Sequence, residues 1–411
     1  MKPNSPPAEG NPDLGMHHAA DTGRKVLLVA GIILIAFNLR PALTSVGPLV
    51  DDIRSSLALS NTLVGLLTTL PLLAFAIFSP WVPRLGQRIG NERTLILGLA
   101  ALVAGILVRS GGQTLALFIG TALVGLGIAV ANVLLPAVVK HRFPNQVGLL
   151  TSSYSTAMNV CAALASGISI PLAHGAGWSW RNTLLCWGAL GLCAILVWSP
   201  QLRAKRPAEP AQALPSRRAG GVWRAPLAWM VTLFMGLQSF LFYSAVAWLT
   251  DILHADGYSV STAGWLLSVT QFIGLPATFV TPILAARLAD QRSLALILGL
   301  IYTGGFVALC FSTPVLAVLA IIGIGIGQGA SISLALAYMG LRTRNARQAA
   351  ILSGMAQSIG YLMAAAGPVL LGFLYDHSHT WRLPLFLLAA VSVLMSAAAI
   401  AAGRNRFIAG E

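Results

Sequence analysis

Long runs of apolar residues, separated by short polar segments, make up most of the chain after residue 24. A helix that crosses a bilayer needs about 20 mostly apolar residues. The runs are continuous and not alternating, so they predict α-helices rather than the strands of a β-barrel. Twelve predicted spans, numbered 1 to 12, lie at 25–50, 61–83, 94–111, 114–139, 148–173, 182–200, 226–251, 260–286, 293–311, 314–340, 349–375 and 383–403.

The composition agrees with this pattern. Of the 411 residues, 56% are hydrophobic and only 9% are charged, whereas a soluble domain carries about 25% charged residues. We therefore predict an all-α membrane protein that lies in the lipid bilayer. The formal net charge of +14 is also compatible with a nucleic-acid partner, and the placement of the charges decides between these interpretations.

The basic residues fall almost entirely on one set of alternate loops and tails. Five of the 26 Lys and Arg residues do not: Arg40 lies inside span 1, and Arg54, Arg109, Arg181 and Arg382 fall on the other set. Basic residues accumulate on the cytoplasmic side of membrane proteins. The pattern predicts a multi-pass protein of the bacterial inner membrane with both termini in the cytoplasm, and it speaks against a nucleic-acid partner.

The charged segment 201–225 divides the spans into two groups of six. We predict five regions: a disordered cytoplasmic tail at 1–24, an N-terminal bundle at 25–200, a cytoplasmic linker at 201–225, a C-terminal bundle at 226–403 and a cytoplasmic tail at 404–411. The two bundles repeat at an offset close to 201. "NTLVGLLTTL" at 61–70 corresponds to "STAGWLLSVT" at 261–270, for example. Six spans return the chain to the same side, so the repeats are parallel.

Twelve spans in two six-helix repeats resemble the major facilitator superfamily. The loop after span 2 contains Leu85, Arg88 and Gly90 of that family's G-x-L-x-D-R-x-G-R-K motif, although Gln87 replaces its acidic residue. The matching loop of the second half keeps an acid as Asp290. The resemblance implies the major facilitator fold, alternating access of a small-molecule substrate, and gating roles for Arg88 and Asp290.

Longer stretches are similar to one branch of that superfamily, the cyanate and 2-nitroimidazole transporters. They are "LRPALTSVGPLVDDIR", "GLLTTLPLLAFAIFSP" and "SGMAQSIGYLMAAAGP". The resemblance implies a transporter but does not fix its substrate, because that branch is associated with both a small anion and a neutral nitroaromatic compound.

Arg40 is the candidate centre of the site. It lies about 22 Å from Lys25 and about 16 Å from Asp51 at 1.5 Å per residue, which is too deep for its charge to reach the interface. Intramembrane charges usually face a bundle interior and mark substrate pathways. Pro41 follows and removes a backbone N–H, which favours a local opening of the helix. The alternative is that Arg40 braces neighbouring helices through their carbonyl groups.

No acidic residue lies deep in a span, so Arg40 has no evident counter-ion. An unpaired cation among amides and hydroxyls favours an anion or a strong acceptor such as a nitro group. Thr44 lies about 40° round the helix from Arg40 and Asn38 about 200°, so Thr44 shares the face of Arg40. The resemblance implies that spans 1, 4, 7 and 10 line a cavity with help from 2, 5, 8 and 11. The candidate substrate-binding residues on these spans are Arg40, Asn38, Thr44, Asn132, Tyr154, Asn159, Gln238, Tyr243, Gln271, Gln328, Gln357 and Tyr361.

These features predict a secondary active or facilitative transporter for a small anionic or electron-rich solute. The alternative is an exporter of neutral nitroaromatic or other toxic compounds. An intramembrane enzyme is disfavoured because all seven histidines lie in loops or at helix ends. The four cysteines lie in apolar runs without metal-ligand spacing, so we expect neither metal nor cofactor. We expect a monomer; the coupling ion and the direction of transport stay open.

Overall fold

The computed structural model describes residues 12–59, 61–203, 220–311 and 313–408, and this part of the chain contains helices and no strand. Its helices are α1 (Pro12–Asn38), α2 (Pro41–Thr44), α3 (Val50–Leu57), α4 (Asn61–Phe78), α5 (Val82–Ile89), α6 (Asn91–Arg109), α7 (Thr114–Arg142), α8 (Val147–Ile170), α9 (Trp180–Trp198), α10 (Gly220–Arg224), α11 (Pro226–Ala255), α12 (Val260–Arg287), α13 (Arg292–Leu309), α14 (Pro314–Leu341), α15 (Ala346–Ser378) and α16 (Arg382–Ala402).

Eleven segments of the described chain are long and apolar enough to cross a membrane, and they correspond to predicted spans 1 and 3 to 12. The predicted span 2, at 61–83, is represented by α4, in which the apolar part Thr69–Phe78 is shorter. α4 ends at Phe78 because Pro80 follows closely, and a proline disfavours helical backbone in the residue before it.

The structure differs from the prediction in the N-terminal tail, and it shows a contact made by the C-terminal tail. α1 begins at Pro12 and not at residue 25, since proline suits the first helical turn. Ile408, in the predicted C-terminal tail, is buried, and its N–H donates to the carbonyl of Arg342 at 2.9 Å. Residues 1–11 of the predicted N-terminal tail, residues 204–219 of the predicted linker and residues 409–411 lie outside the described residues.

The helices form two bundles that repeat the same packing. In the first bundle, α6 packs against α7 and α9; in the second, α13 packs against α14 and α16. These are spans 3, 4 and 6 and their repeats, spans 9, 10 and 12. The structure therefore has the two six-helix pseudo-repeats that the internal sequence similarity predicts.

The two bundles meet through α4, α7 and α8 of the first and α12, α14 and α15 of the second. Close contacts occur where the first turns of α8 meet the last turns of α12. A Cβ on Gly148, for example, would lie 2.6 Å from the carbonyl oxygen of Pro282. Gly354 on α15 similarly packs against Ser79 and Pro83, which follow α4. We call this end, formed by loops 79–90, 142–146, 288–291 and 342–345, the basic end.

Candidate functional site

Span 1 is broken at the arginine that the sequence places in its middle. α1 ends at Asn38, and α2 begins at Pro41 with Arg40 as its N-terminal cap (φ −120°, ψ −38°). The break has a local cause, because Pro41 has no N–H for the preceding turn and disfavours helical backbone at residue 40. The sequence prediction that the helix opens at this point is confirmed. The side chain of Arg40 therefore projects from a break between two helices and not from the face of a regular helix.

A cavity of about 460 Å³ lies between the two bundles. Nine of the twelve predicted substrate-binding residues line it: Arg40, Thr44, Asn132, Asn159, Tyr243, Gln271, Gln328, Gln357 and Tyr361. Its wall continues past Pro48, Ser166 and Ser268 toward the end of the molecule opposite the basic end. The bundle contacts at the basic end therefore separate the cavity from that side.

Arg40 has an aromatic neighbour, and no acidic residue of the described chain pairs with it. Its guanidinium carbon lies 5.0 Å from the ring centroid of Phe242 on α11, a cation–π distance. Among the described residues, neither an ion pair nor a hydrogen bond engages this side chain. Arg40 is partly exposed to the cavity. Its N–H groups thus face the cavity without a protein acceptor.

Aromatic rings surround this charge. Phe242 contacts Tyr243 edge-on at 5.2 Å, and Phe75 on α4 lies 4.6 Å from Tyr361 on α15. Both tyrosines lie close enough to Arg40 to interact with its charge. The cavity therefore combines one cation with flat apolar faces, which suits a planar solute with an electron-rich end.

Side-chain amides form the other polar part of the wall. Gln271 on α12 donates to Gln328 on α14 at 3.2 Å, and Asn132 lies 3.5 Å from the hydroxyl of Tyr361. Asn159 on α8 donates to Thr278 on α12 at 3.3 Å, so this bond joins the two bundles. The side-chain oxygen of Gln357 is buried and has no hydrogen-bond partner within the described residues. This oxygen remains free to accept a hydrogen bond from a solute that reaches it.

Three predicted site residues do not line the cavity. Asn38 donates to the carbonyls of Leu34 and of Leu190 on α9, at 2.7 and 3.3 Å. The side-chain nitrogen of Gln238 donates to the carbonyl of Met235 and to the hydroxyl of Ser239, both in its own helix. The ring of Tyr154 packs in the apolar core. Asn38 and Gln238 thus use their donors inside the bundles, and Tyr154 lies in the core. None of the three therefore belongs to the cavity site.

Arg109 is a cavity residue that the sequence analysis missed. The charge pattern places it on the loops opposite the basic ones, but it is the last residue of α6, is fully buried and lines the cavity. Its Nη1 donates to the carbonyl of Ala42 at 2.6 Å. The hydrophobic run before it, 94–108, was the available signal, because that run includes its helical neighbours Leu102 and Ile106 on the buried face.

The two predicted gating residues lie at the basic end. Arg88 is exposed near the end of α5. Asp290 pairs with Arg292 of its own half, with 3.1 Å between Oδ2 and Nε. A shorter pair, Arg142 with Glu92 at 2.7 Å, joins α7 to α6 within the first bundle. The gating roles of Arg88 and Asp290 remain predictions.

The sequence matches a protein family along most of its length. The sequence profile of the Major Facilitator Superfamily matches residues 26–365 and, as a second match, 228–406. The chain belongs to the major facilitator superfamily. This membership confirms the predicted twelve-helix fold and makes the protein a multi-pass membrane transporter of small molecules rather than an enzyme.

Individual relatives agree with the predicted branch. The chain is 53% identical to YycB, an uncharacterized transporter of Bacillus subtilis, over 93% of this chain and 94% of that one. It is 42% identical to the 2-nitroimidazole transporter of Escherichia coli K12, over 93% and 97%. Among solved structures, the fold is similar to FucP, a superfamily transporter in the outward conformation, with a TM-score of 0.75 and 13% identity over 90% of this chain and 97% of that one.

Proposed function

We propose that this transporter carries a small planar solute with an anionic or electron-rich end, and that Arg40 binds this end. Aromatic carboxylates and nitro-substituted heterocycles are the chemical class with this shape. The observation that carries the proposal is the guanidinium of Arg40, which stacks on Phe242 and has no acceptor among the described residues. Removing such a charge from water when the cavity closes is costly unless a ligand pairs with it.

The shape of the guanidinium supports this class. Its planar fork matches the two oxygens of a carboxylate or of a nitro group, and a carboxylate gains a charge-assisted pair of hydrogen bonds. The ring of such a solute would pack on Phe242, Phe75 or Tyr361, which lie around the cavity. The cavity of about 460 Å³ is of the size that organic ligands occupy.

The transport cycle follows from the two bundles. We infer that they rock about the central cavity, and that the contacts at the basic end separate in the alternate state. With the basic end in the cytoplasm, as the charge distribution favours, the present state is open to the outside. We also propose that the transporter lies in the inner membrane and works as a monomer.

The test is uptake and efflux in proteoliposomes, with and without an imposed pH gradient. The solutes are benzoate, its neutral isostere benzamide, 2-nitroimidazole and cyanate. We expect transport of benzoate or 2-nitroimidazole that exceeds transport of benzamide, and loss of that transport in Arg40→Ala. Equal handling of benzoate and benzamide, or an unchanged Arg40→Ala variant, would overturn the role of Arg40.

A second candidate is export of neutral nitroaromatic compounds. The aromatic lining and the 42% identity to a 2-nitroimidazole transporter favour it. In that case ring stacking and the amides recognise the solute, and Arg40→Ala retains 2-nitroimidazole transport. Comparing the loss of benzoate and of 2-nitroimidazole transport in this single variant separates the two candidates.

A further inference from the structure

The short helix α2, which Arg40 caps, ends at Thr44 and leaves one of its backbone carbonyls open. In a continuous helix the carbonyl of Ala42 would accept from the N–H of Val46. Here the N–H of Val46 bonds to Leu43 instead, at 3.2 Å. The carbonyl of Ala42 is left for Nη1 of Arg109, which reaches it at 2.6 Å from α6.

Arg109 is held rigidly in this position. α6 and α7 approach each other at Gly105 and Gly120, where a Cβ on Gly105 would lie 2.6 Å from the carbonyl oxygen of Gly120. The backbone of Arg109 fills the space beside Gly120, so that glycine also has no room for a side chain. The bond to Ala42 therefore links span 1 to a closely packed helix pair.

The charge of Arg109 is unusual for a purely structural donor. The residue is fully buried, and among the described residues it forms no ion pair. Its Nε and Nη2 have no hydrogen-bond partner within that part of the chain. A buried cation without a carboxylate adds positive potential to the cavity that it lines together with Arg40.

We infer that Arg109 is a positioning residue for Arg40. By holding the carbonyl of Ala42, it fixes α2, the short helix that begins with Arg40 as its cap and directs the guanidinium of Arg40 into the cavity. This inference rests on the proposed function of Arg40. We therefore expect loss of Arg109 to weaken the recognition of the charged end of a solute and not the binding of its ring.

The test is equilibrium binding of benzoate and of benzamide to the purified full-length protein. Arg109→Met should weaken benzoate binding about tenfold to a hundredfold, the loss typical for a hydrogen bond from a charged group. Its benzamide affinity should stay unchanged. Arg109→Lys should restore most of the benzoate preference, because an ammonium group still donates to one carbonyl and keeps the charge.

The matched control is Arg181→Met. Arg181 is an exposed arginine at the same end of the molecule, where its guanidinium lies 5.4 Å from the ring of Trp180. We expect this variant to keep both affinities. If Arg109→Met is not recovered as folded protein, Arg109→Gln gives the same comparison. The glutamine side chain is shorter than that of arginine and carries no charge.

Three results would be decisive against these assignments. Equal losses of benzoate and benzamide binding in Arg109→Met would make Arg109 a general structural residue and overturn the inference. Unchanged benzoate binding would also overturn it. A wild-type protein that does not prefer benzoate to benzamide would instead refute the proposed function of Arg40, so the two failures are distinguishable.

Discussion

The hydroxyl of Ser358 on α15 donates a 2.6 Å hydrogen bond to the carbonyl of Ala76 on α4, in the opposite bundle. In a continuous helix that carbonyl would accept from residue 80, which is a proline and has no N–H. Ser353 makes the same kind of bond at 3.3 Å to the carbonyl of Asn132, four residues before Pro136. Two serines of α15 thus satisfy carbonyls that prolines leave open.

We expect the double variant Ser353→Ala/Ser358→Ala to destabilise closure at the basic end. Each lost bond is worth about 1 kcal/mol, so the equilibrium should shift by about fivefold per serine. Spin labels at residues 84 and 347, both exposed arginines at that end, would report the shift as a larger population at long distance. The four free cysteines are replaced first.

Ser153→Ala is the matched control for closure. Its hydroxyl bonds at 2.9 Å to the carbonyl of Leu149 in its own helix, so its loss touches no contact between the bundles. Distance distributions that stay the same in the double variant as in this control would show that the serine bonds do not hold the basic end closed.

Arg40→Lys should retain only part of the binding of benzoate. The lysine keeps the charge but loses the planar fork. Removal of the whole guanidinium in Arg40→Ala should cost about 2–5 kcal/mol of binding free energy, which corresponds to about 30-fold to several-thousand-fold in benzoate affinity. Isothermal titration with benzoate measures both variants, and benzamide serves as the reference ligand. Full benzoate affinity in Arg40→Lys would mean that charge alone, without the fork, recognises the solute.

The break at Arg40 was predictable from the sequence because its cause is local. A proline within an apolar run interrupts the helix at a known offset, and helical periodicity places Thr44 on the same face. The same periodicity puts Asn38 on the other side, where it bonds to Leu190. The fold was predictable for a similar reason, since the length of each span and the internal repeats can be seen directly in the order of the residues.

Arg109 and Tyr154 were not predictable in this way. The role of Arg109 depends on the carbonyl of Ala42, which is remote in sequence and is free because α2 ends at Thr44. Tyr154 lies on a lining helix, but its side chain faces the core rather than the cavity. Which polar side chain on a helix reaches a cavity depends on helix rotation, and tertiary packing sets that rotation.

Cysteines at residues 132 and 328 should be protected from thiol reagents by benzoate. Asn132 and Gln328 lie on α7 and α14, which are equivalent helices of the repeat, and both line the cavity. Ser179→Cys is the control, because Ser179 is exposed at the end opposite the basic end and is not part of the cavity wall. Labelling rates measured with and without benzoate should differ at 132 and 328 and agree at 179. Equal rates at all three positions would place the substrate elsewhere.

The charge distribution predicts how the protein is oriented in the membrane. The basic residues predict that the linker and the C-terminus are cytoplasmic, so reporter fusions after residue 210 and at residue 411 should both report the cytoplasm. Ser268 lies in the cavity wall toward the opposite end and is exposed. In intact cells a membrane-impermeant thiol reagent should therefore label Ser268→Cys and not Arg347→Cys at the basic end. The reverse labelling pattern, with periplasmic reporters, would mean that the cavity opens to the cytoplasm in this state and that the charge distribution does not set the topology.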